Sequence, residues 1–305
     1  MKISVVFVGK LHDRGFNASA LIGIEAARNN TNAEIEIIHG IPFEQDVILK
    51  NLTEAGQTSD GVVVIGGQGN IAAPKAAAAN PGKKFAVVQG AVTADNLASY
   101  DVLQEESAFL AGCLAGLTTQ SGTVGHLSGH RVRPGLKGRA AYVAGVNYIE
   151  PEVKILTAFC GTQDDSDIAE HWAAAELEAG ADILFTMLNE ARSGAIAACR
   201  KLEKHQIGNA LDWTKSEPDV FIGSAVARID IGAQRAIEDM VEGIMPTEIV
   251  EIGLADKGAV FLAFRDDVPE TTRSEIAKVE TAIRNGAISI PAEYDGLEFN
   301  LEEAS

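Results

Sequence analysis

Gly61-Val-Val-Val-Ile-Gly-Gly-Gln-Gly-Asn-Ile-Ala-Ala-Pro-Lys-Ala-Ala-Ala-Ala-Asn-Pro-Gly-Lys-Lys-Phe-Ala-Val-Val88 decides the fold class. Two solidly apolar runs, 61–65 and 84–88, bracket a glycine loop and a helix expected at 71–79. Strands that are apolar on both faces belong to parallel sheets covered on both sides, and a helix between two such strands is the βαβ crossover. The same alternation extends outward over most of the chain. Strands are expected at 2–8, 34–39, 123–127, 153–159, 182–187, 208–211, 220–222 and 248–252. Helices are expected at 17–29, 43–55, 105–119, 134–147, 165–179, 191–203 and 229–243. The fold class is therefore α/β, with two doubly wound, Rossmann-like lobes.

The lobe boundaries come from a long small-residue helix at 105–119, followed by Gln120-Ser121-Gly122 and a fresh strand. The expected first lobe is 1–118 plus about 248–284. The expected second is 119–247 plus about 285–305, with a ligand cleft between them. The acidic end Leu301-Glu-Glu-Ala-Ser305 is expected to fray.

The 305 residues carry a net charge of −18, with 46% hydrophobic and 22% charged residues. A chain this size buries a large core without disulfides or metal. The acidity argues against nucleic acid, whose phosphates need clustered Lys and Arg, and against anionic membrane surfaces. The cysteines, Cys113, Cys160 and Cys199, have apolar neighbours and no paired spacing, so they read as small buried thiols. No apolar stretch reaches the roughly 18 residues of a spanning helix, so no membrane insertion is expected. The strand starts at once without signal-peptide architecture, and the expected location is cytoplasmic. The alternative is a periplasmic or lipid-anchored protein whose leader has been removed.

Ligands of open α/β sheets bind beyond the carboxyl ends of the strands. His12-Asp-Arg-Gly-Phe-Asn17 sits at such a place, just past the first strand. Phe16 offers a ring to stack on and Asn17 a directional amide; equally, Asn17 caps the next helix and Phe16 staples it. His12 and Asp13 offer a donor and an acceptor, or an acid–base pair. Gly66-Gly67-Gln68-Gly69-Asn70 lets a ligand approach the backbone and brings in Gln68; a plain turn is the alternative. His126, His130, Arg131 and Arg133 form a basic cluster that suits an anionic group better than a metal, because the His-x3-His pair lies in a loop. Asp164, Asp165 and Asp167 complement a helix start. Asn189, Glu190 and Arg192 follow another strand, as ligand groups or helix caps. No P-loop, zincin or nucleophile-elbow motif is present, and no cofactor or metal is expected.

Several blocks together resemble the basic membrane protein family of solute-binding proteins, which includes bacterial purine nucleoside receptors. Gly15-Phe16-Asn17 is similar to that family's Ser-Phe-Asn, and Glu105-Glu-Ser-Ala-Phe-Leu-Ala-Gly-Cys-Leu-Ala-Gly116 to its Glu-Glu-Gly-Ala-Phe-Leu-Ala-Gly helix. Gly122-Thr-Val-Gly125, Ala179 to Phe185, Ser224 to Asp230 and Gly253 to Gly258 match further blocks. The resemblance implies a type I periplasmic-binding fold with a hinge, a small-molecule ligand and an ABC transporter permease as partner. Asp212 matches a family Asp that bonds ribose hydroxyls, and Trp213 follows it. Two positions depart: Gln89-Gly90 stands where the family has Asp-Gly, and Ala227 where it has Lys. Thr162 also replaces a frequent aromatic.

Two readings follow. In one, the chain reversibly binds a nucleoside-like or other small polar heterocycle. Phe16 or Trp213 stacks the ring, Asn17, Gln68, Gln89, Asn189 and Asp212 supply hydrogen bonds, and His130 or Arg133 answers an acidic group. In the other, an enzyme on the same scaffold hydrolyses or isomerises such a compound, with His12, Asp13 or Glu190 as acid–base groups.

Overall fold

The computed structural model describes residues 1–301, so the tail expected to fray lies almost wholly outside the described residues. The chain forms two compact units, Met1–Val102 with Arg228–Ile252, and Leu103–Ala227 with Gly253 onward.

The first unit is built on six parallel strands. They are β1 (Lys2–Val8), β2 (Glu34–Ile41), β3 (Gly61–Ile65), β4 (Lys84–Val88), β5 (Leu97–Val102) and β11 (Val250–Ile252), in the order β11-β5-β4-β3-β1-β2. Its helices are α1 (Phe16–Asn30), α2 (Gln45–Thr58), α3 (Gly69–Ala79) and α9 (Ile229–Glu242). Helices α1 and α9 pack together, as do α2 and α3. Val6, Val62, Val64 and Val87 join Ile48, Leu52 and the alanines of α3 in one core cluster. Val5 and Val63, which point the other way, are equally buried. Both faces are covered, as the apolar strands require.

The second unit orders its strands β12-β10-β9-β8-β6-β7. These are β6 (Thr123–Ser128), β7 (Lys154–Phe159), β8 (Ile183–Met187), β9 (His205–Ala210), β10 (Phe221–Ala227) and β12 (Val260–Phe264), parallel except for β12 against β10. The helices are α4 (Gln104–Thr118), α5 (Arg133–Ile149), α6 (Ser166–Glu178), α7 (Arg192–Leu202), the short α8 (Trp213–Ser216) and α10 (Glu270–Arg284).

The expected boundary near 118 moves to 102. Helix α4 packs against α5, and the contact is close enough to need glycine on both sides. A Cβ at Gly112 would lie 2.1 Å from the Tyr142 carbonyl oxygen, and one at Gly145 would lie 2.0 Å from that of Phe109. Likewise α9 belongs to the first unit and 253–284 to the second, because β12 pairs with β10 and α10 packs on α4. Strand β5 and helices α8 and α10 carry no clear sequence signal. In β5, Ser99 and Asp101 are buried polar residues that interrupt the apolar run.

Candidate functional site

In the first unit the β1–α1 loop is organised by two polar side chains that turn inward. Asp13 is fully buried, and its carboxylate accepts from the amides of Gly15 (2.9 Å), Ala18 (3.0 Å) and Asn17 (2.9 Å). The first amides of a helix lack intrahelical partners and carry its positive dipole end, so a buried carboxylate is well placed there. The Asn17 side chain donates to the carbonyls of Val8 and Lys10, both at 2.9 Å. Asp13 and the Asn17 NH2 group therefore shape the loop. Arg14 adopts a left-handed φ of 56°, His12 stays exposed and Phe16 half-buried.

The next loops are stitched to each other. The Gln68 amide donates to the Ile65 carbonyl at 3.1 Å. Asn70 donates to the carbonyls of Gly67 (2.8 Å) and Gln89 (3.3 Å), and its oxygen accepts from the Ala91 amide at 2.6 Å. Gln89 is buried with a left-handed φ of 64°. Its side-chain oxygen accepts from the Val102 amide (2.7 Å) and its NH2 donates to the Val102 carbonyl (3.0 Å). This pair imitates one more rung between β4 and β5, so Gln89 acts as a backbone clamp. Asn70 was missed as a positioning residue because two of its partners, Gln89 and Ala91, come from the segment after β4.

In the second unit, His126 is completely buried, with Nδ1 2.9 Å from Thr157 Oγ1 and Nε2 2.8 Å from Ser128 Oγ. Burial, reinforced by the nearby Arg139 charge, pushes this imidazole down to about 3, so it is neutral. His130 is half-buried, and burial lowers its pKa too. Arg133 opens α5, ahead of Pro134 in the first turn. Asp165 caps α6, accepting from the amides of Asp167 and Ile168.

Past β8, the carbonyls of Asn189 and Glu190 accept from the amides of Arg192 and Ser193, while both residues remain half-buried. Arg192 itself is buried. Nη1 donates to the Thr186 carbonyl (3.0 Å) and hydroxyl (2.8 Å), Nη2 donates to the Leu188 carbonyl and Asn209 Oδ1, and the guanidinium lies 4.7 Å from the Trp213 ring centre. Trp213 is buried, stacks on Phe221 at 5.5 Å and donates to the Asn209 carbonyl at 3.2 Å. It belongs to the core cluster of this unit, with Phe221, Arg192 and the Asn209 carbonyl as its neighbours. Asp212 caps α8 through the Thr214 amide and hydroxyl and pairs with Lys215 at 2.9 Å. Ala210, just before it, has a left-handed φ of 63°.

Beyond the strand ends, His12, Phe16 and Gln68 of the first unit are exposed or half-buried, as are His130, Arg133, Asn189, Glu190 and Asp212 of the second. In the first unit Phe16 is a ring that can stack, and in the second His130 and Arg133 are the groups of a sign that suits an anion. Among the described residues no group of three or more His, Cys, Asp or Glu side chains could hold a metal ion. Burial pushes the Cys113 and Cys199 thiols up to about 12, which leaves them unreactive at neutral pH.

In known proteins, the chain is 26% identical over 314 residues to Basic membrane protein A of Borreliella burgdorferi, covering 99% of this chain and 91% of the relative. It is 27% identical over 277 residues to an uncharacterized lipoprotein of Pyrococcus furiosus, covering 85% and 69%. The fold matches the crystal structure of an ABC transporter system solute-binding protein from Aeropyrum pernix K1, with a TM-score of 0.86 over 97% of this chain and 94% of that one at 21% identity. It also matches a transcriptional activator of the comK gene from Bacillus halodurans, with a TM-score of 0.76 at 16% identity over 95% and 99%, so the fold alone does not decide the role. A family profile described as ABC transporter substrate-binding protein PnrA-like matches residues 1–294. Its span, nearly the whole chain, decides the matter: this chain belongs to that family of ABC transporter solute-binding proteins.

Proposed function

We propose that the chain binds a nucleoside-like or other small polar heterocycle reversibly and passes it, chemically unchanged, to an ABC transporter permease. Family membership over residues 1–294 is the observation that carries this reading. The strand-end groups support it: Phe16 suits ring stacking, and Gln68, Asn189 and Asp212 suit directed hydrogen bonds to ring nitrogens and hydroxyls. The enzyme reading loses support, because the Asp13 carboxylate is spent on three backbone amides and does not serve His12 as an acid–base partner. No helix among the described residues is long and apolar enough to cross a membrane. The lipoprotein names of the Pyrococcus relatives favour a membrane-anchored placement over the cytoplasmic one.

A thermal-shift screen of nucleosides, bases and small heterocyclic acids tests the proposal. A solute at 100 times its Kd stabilises the folded state by about 2.7 kcal/mol. For a chain of this size that raises Tm by about 4 °C. Mass spectrometry of the bound pool should then return the solute intact. No stabilisation by any of these classes, or a chemically altered product, would refute the reading.

A further inference from the structure

The segment at Glu298 and Phe299 is fastened to the outer strand of the second sheet. The Phe299 amide donates to the Thr157 carbonyl at 2.9 Å, and the Phe299 ring packs on the core cluster under β7. Thr157 also holds His126 through its hydroxyl, and His126 in turn contacts Ser128 at the root of the β6–α5 loop. The segment is therefore seated on the rigid base of that loop.

Glu298 is the residue just before this anchor. Arg131 donates to it with both terminal nitrogens, Nη1 to Oε1 at 2.9 Å and Nη2 to Oε2. Arg139 donates Nη1 to the same Oε1. Arg139 is buried between two rings, with Phe159 at 5.0 Å and Tyr294 at 4.9 Å, and its Nη2 reaches the Tyr294 carbonyl at 3.3 Å. Arg131 lies 4.7 Å from the centre of the same Phe159 ring. Two guanidinium groups on one aromatic ring, one presenting a bidentate fork, make an anion receptor. In this chain a carboxylate of its own fills it.

Arg131 stands between His130 and Arg133, in the loop read above as meeting the solute. We infer that Glu298 is a specificity-determining residue: it fills the Arg131–Arg139 receptor from within and so turns phosphate-bearing solutes away from the β6–α5 loop. A bare receptor would favour a phosphate dianion over a neutral solute of the same shape. The filled one offers no such gain, and Glu298 repels an incoming dianion. This inference rests on the solute reading of the loop, but the receptor itself can be examined without any solute.

Calorimetric titration of the full chain with inorganic phosphate provides the test. Glu298→Gln keeps the size of the side chain and removes its charge, so phosphate affinity should rise about tenfold over the parent, as expected for one regained bidentate ion pair. In the double variant Arg131→Gln/Glu298→Gln that gain should vanish. No gain in Glu298→Gln, or a gain that persists in the double variant, overturns the inference. If Glu298→Gln is unfolded at the assay temperature, Arg131→Gln alone decides. Phosphate affinity should then match the parent, whereas a loss would mean that Arg131 was open to anions all along. A failed nucleoside screen beside a positive phosphate result would sink the solute reading and leave the filled receptor standing.

Discussion

Replacing Asp13 by Asn separates a structural carboxylate from a chemical one. The Asp13 carboxylate receives three backbone amides at 2.9–3.0 Å in a fully buried setting. Asn keeps one oxygen, which can still serve Gly15 and Ala18. Its NH2 group then replaces Oδ2 and faces the Asn17 amide, donor against donor. Losing one hydrogen bond to a charged acceptor costs about 1.5–3 kcal/mol, and the charge at the start of α1 adds about 0.5–1 kcal/mol. The total is about 3 kcal/mol. With a urea m-value of about 2 kcal/mol/M, the transition that reports the first unit should move down by about 1.5 M. Circular dichroism gives the transition, and hydrogen exchange at residues 15–18 assigns it to the loop, whose amides should lose protection. The reasoning fails if the midpoint moves by less than about 0.3 M while affinity for a nucleoside found in the screen falls tenfold. Asp13 would then act on the solute and not on the fold.

Other substitutions probe the second unit. Ala210→Gly should stabilise by about 0.5–1 kcal/mol in denaturant titration, since φ of 63° is strained for alanine and free for glycine; a loss of stability would show that the methyl packing outweighs the strain. Glu176 is fully buried, neither of its oxygens has a hydrogen-bond partner, and burial alone raises its pKa well above the ordinary value. A raised carboxyl pKa favours folding most below the unfolded value of about 4.5, and that contribution is lost as pH rises toward the folded pKa. Over that window the parent should lose about 1.4 kcal/mol per pH unit relative to Glu176→Gln. Parallel stability curves for the two proteins would refute a buried neutral acid. Trp172→Phe leaves Trp213 as the reporter tryptophan, and its emission should be blue-shifted and resist acrylamide. Trp213→Ala should cost about 3–5 kcal/mol in urea unfolding, and ready quenching with a small cost would place the indole at the surface.

Strands such as 61–65 and 84–88 were legible because a parallel strand covered on both sides must be apolar along its whole length. Strand β5 was not, because its buried Ser99 and Asp101 find partners only in the folded chain. For example, Ser99 Oγ accepts from the Val92 amide at 3.2 Å. Helix α10 hides behind its charges, with only Ile276, Val279 and Ile283 turned to the core. The boundary at 102 depends on which helix α4 packs against, and composition around 118 carries no trace of that choice.

The order and type of the main elements, and hence the loops that lie beyond the strand ends, follow from the sequence alone. Hydrophobic periodicity and βαβ connectivity leave few other arrangements. Which side chains in those loops remain at the surface was settled by the tertiary structure. Asp13, Asn17, Gln89 and Trp213 look as suited to a ligand as His12 and Phe16 do. Each turns inward because an orphaned backbone group or a guanidinium lies within bonding reach: Val102 for Gln89, the start of α1 for Asp13, Arg192 for Trp213. Glu298 meets Arg131 across 167 residues of chain. A preference set by such meetings is energetic and short-ranged in space but long-ranged in sequence, so no local pattern records it.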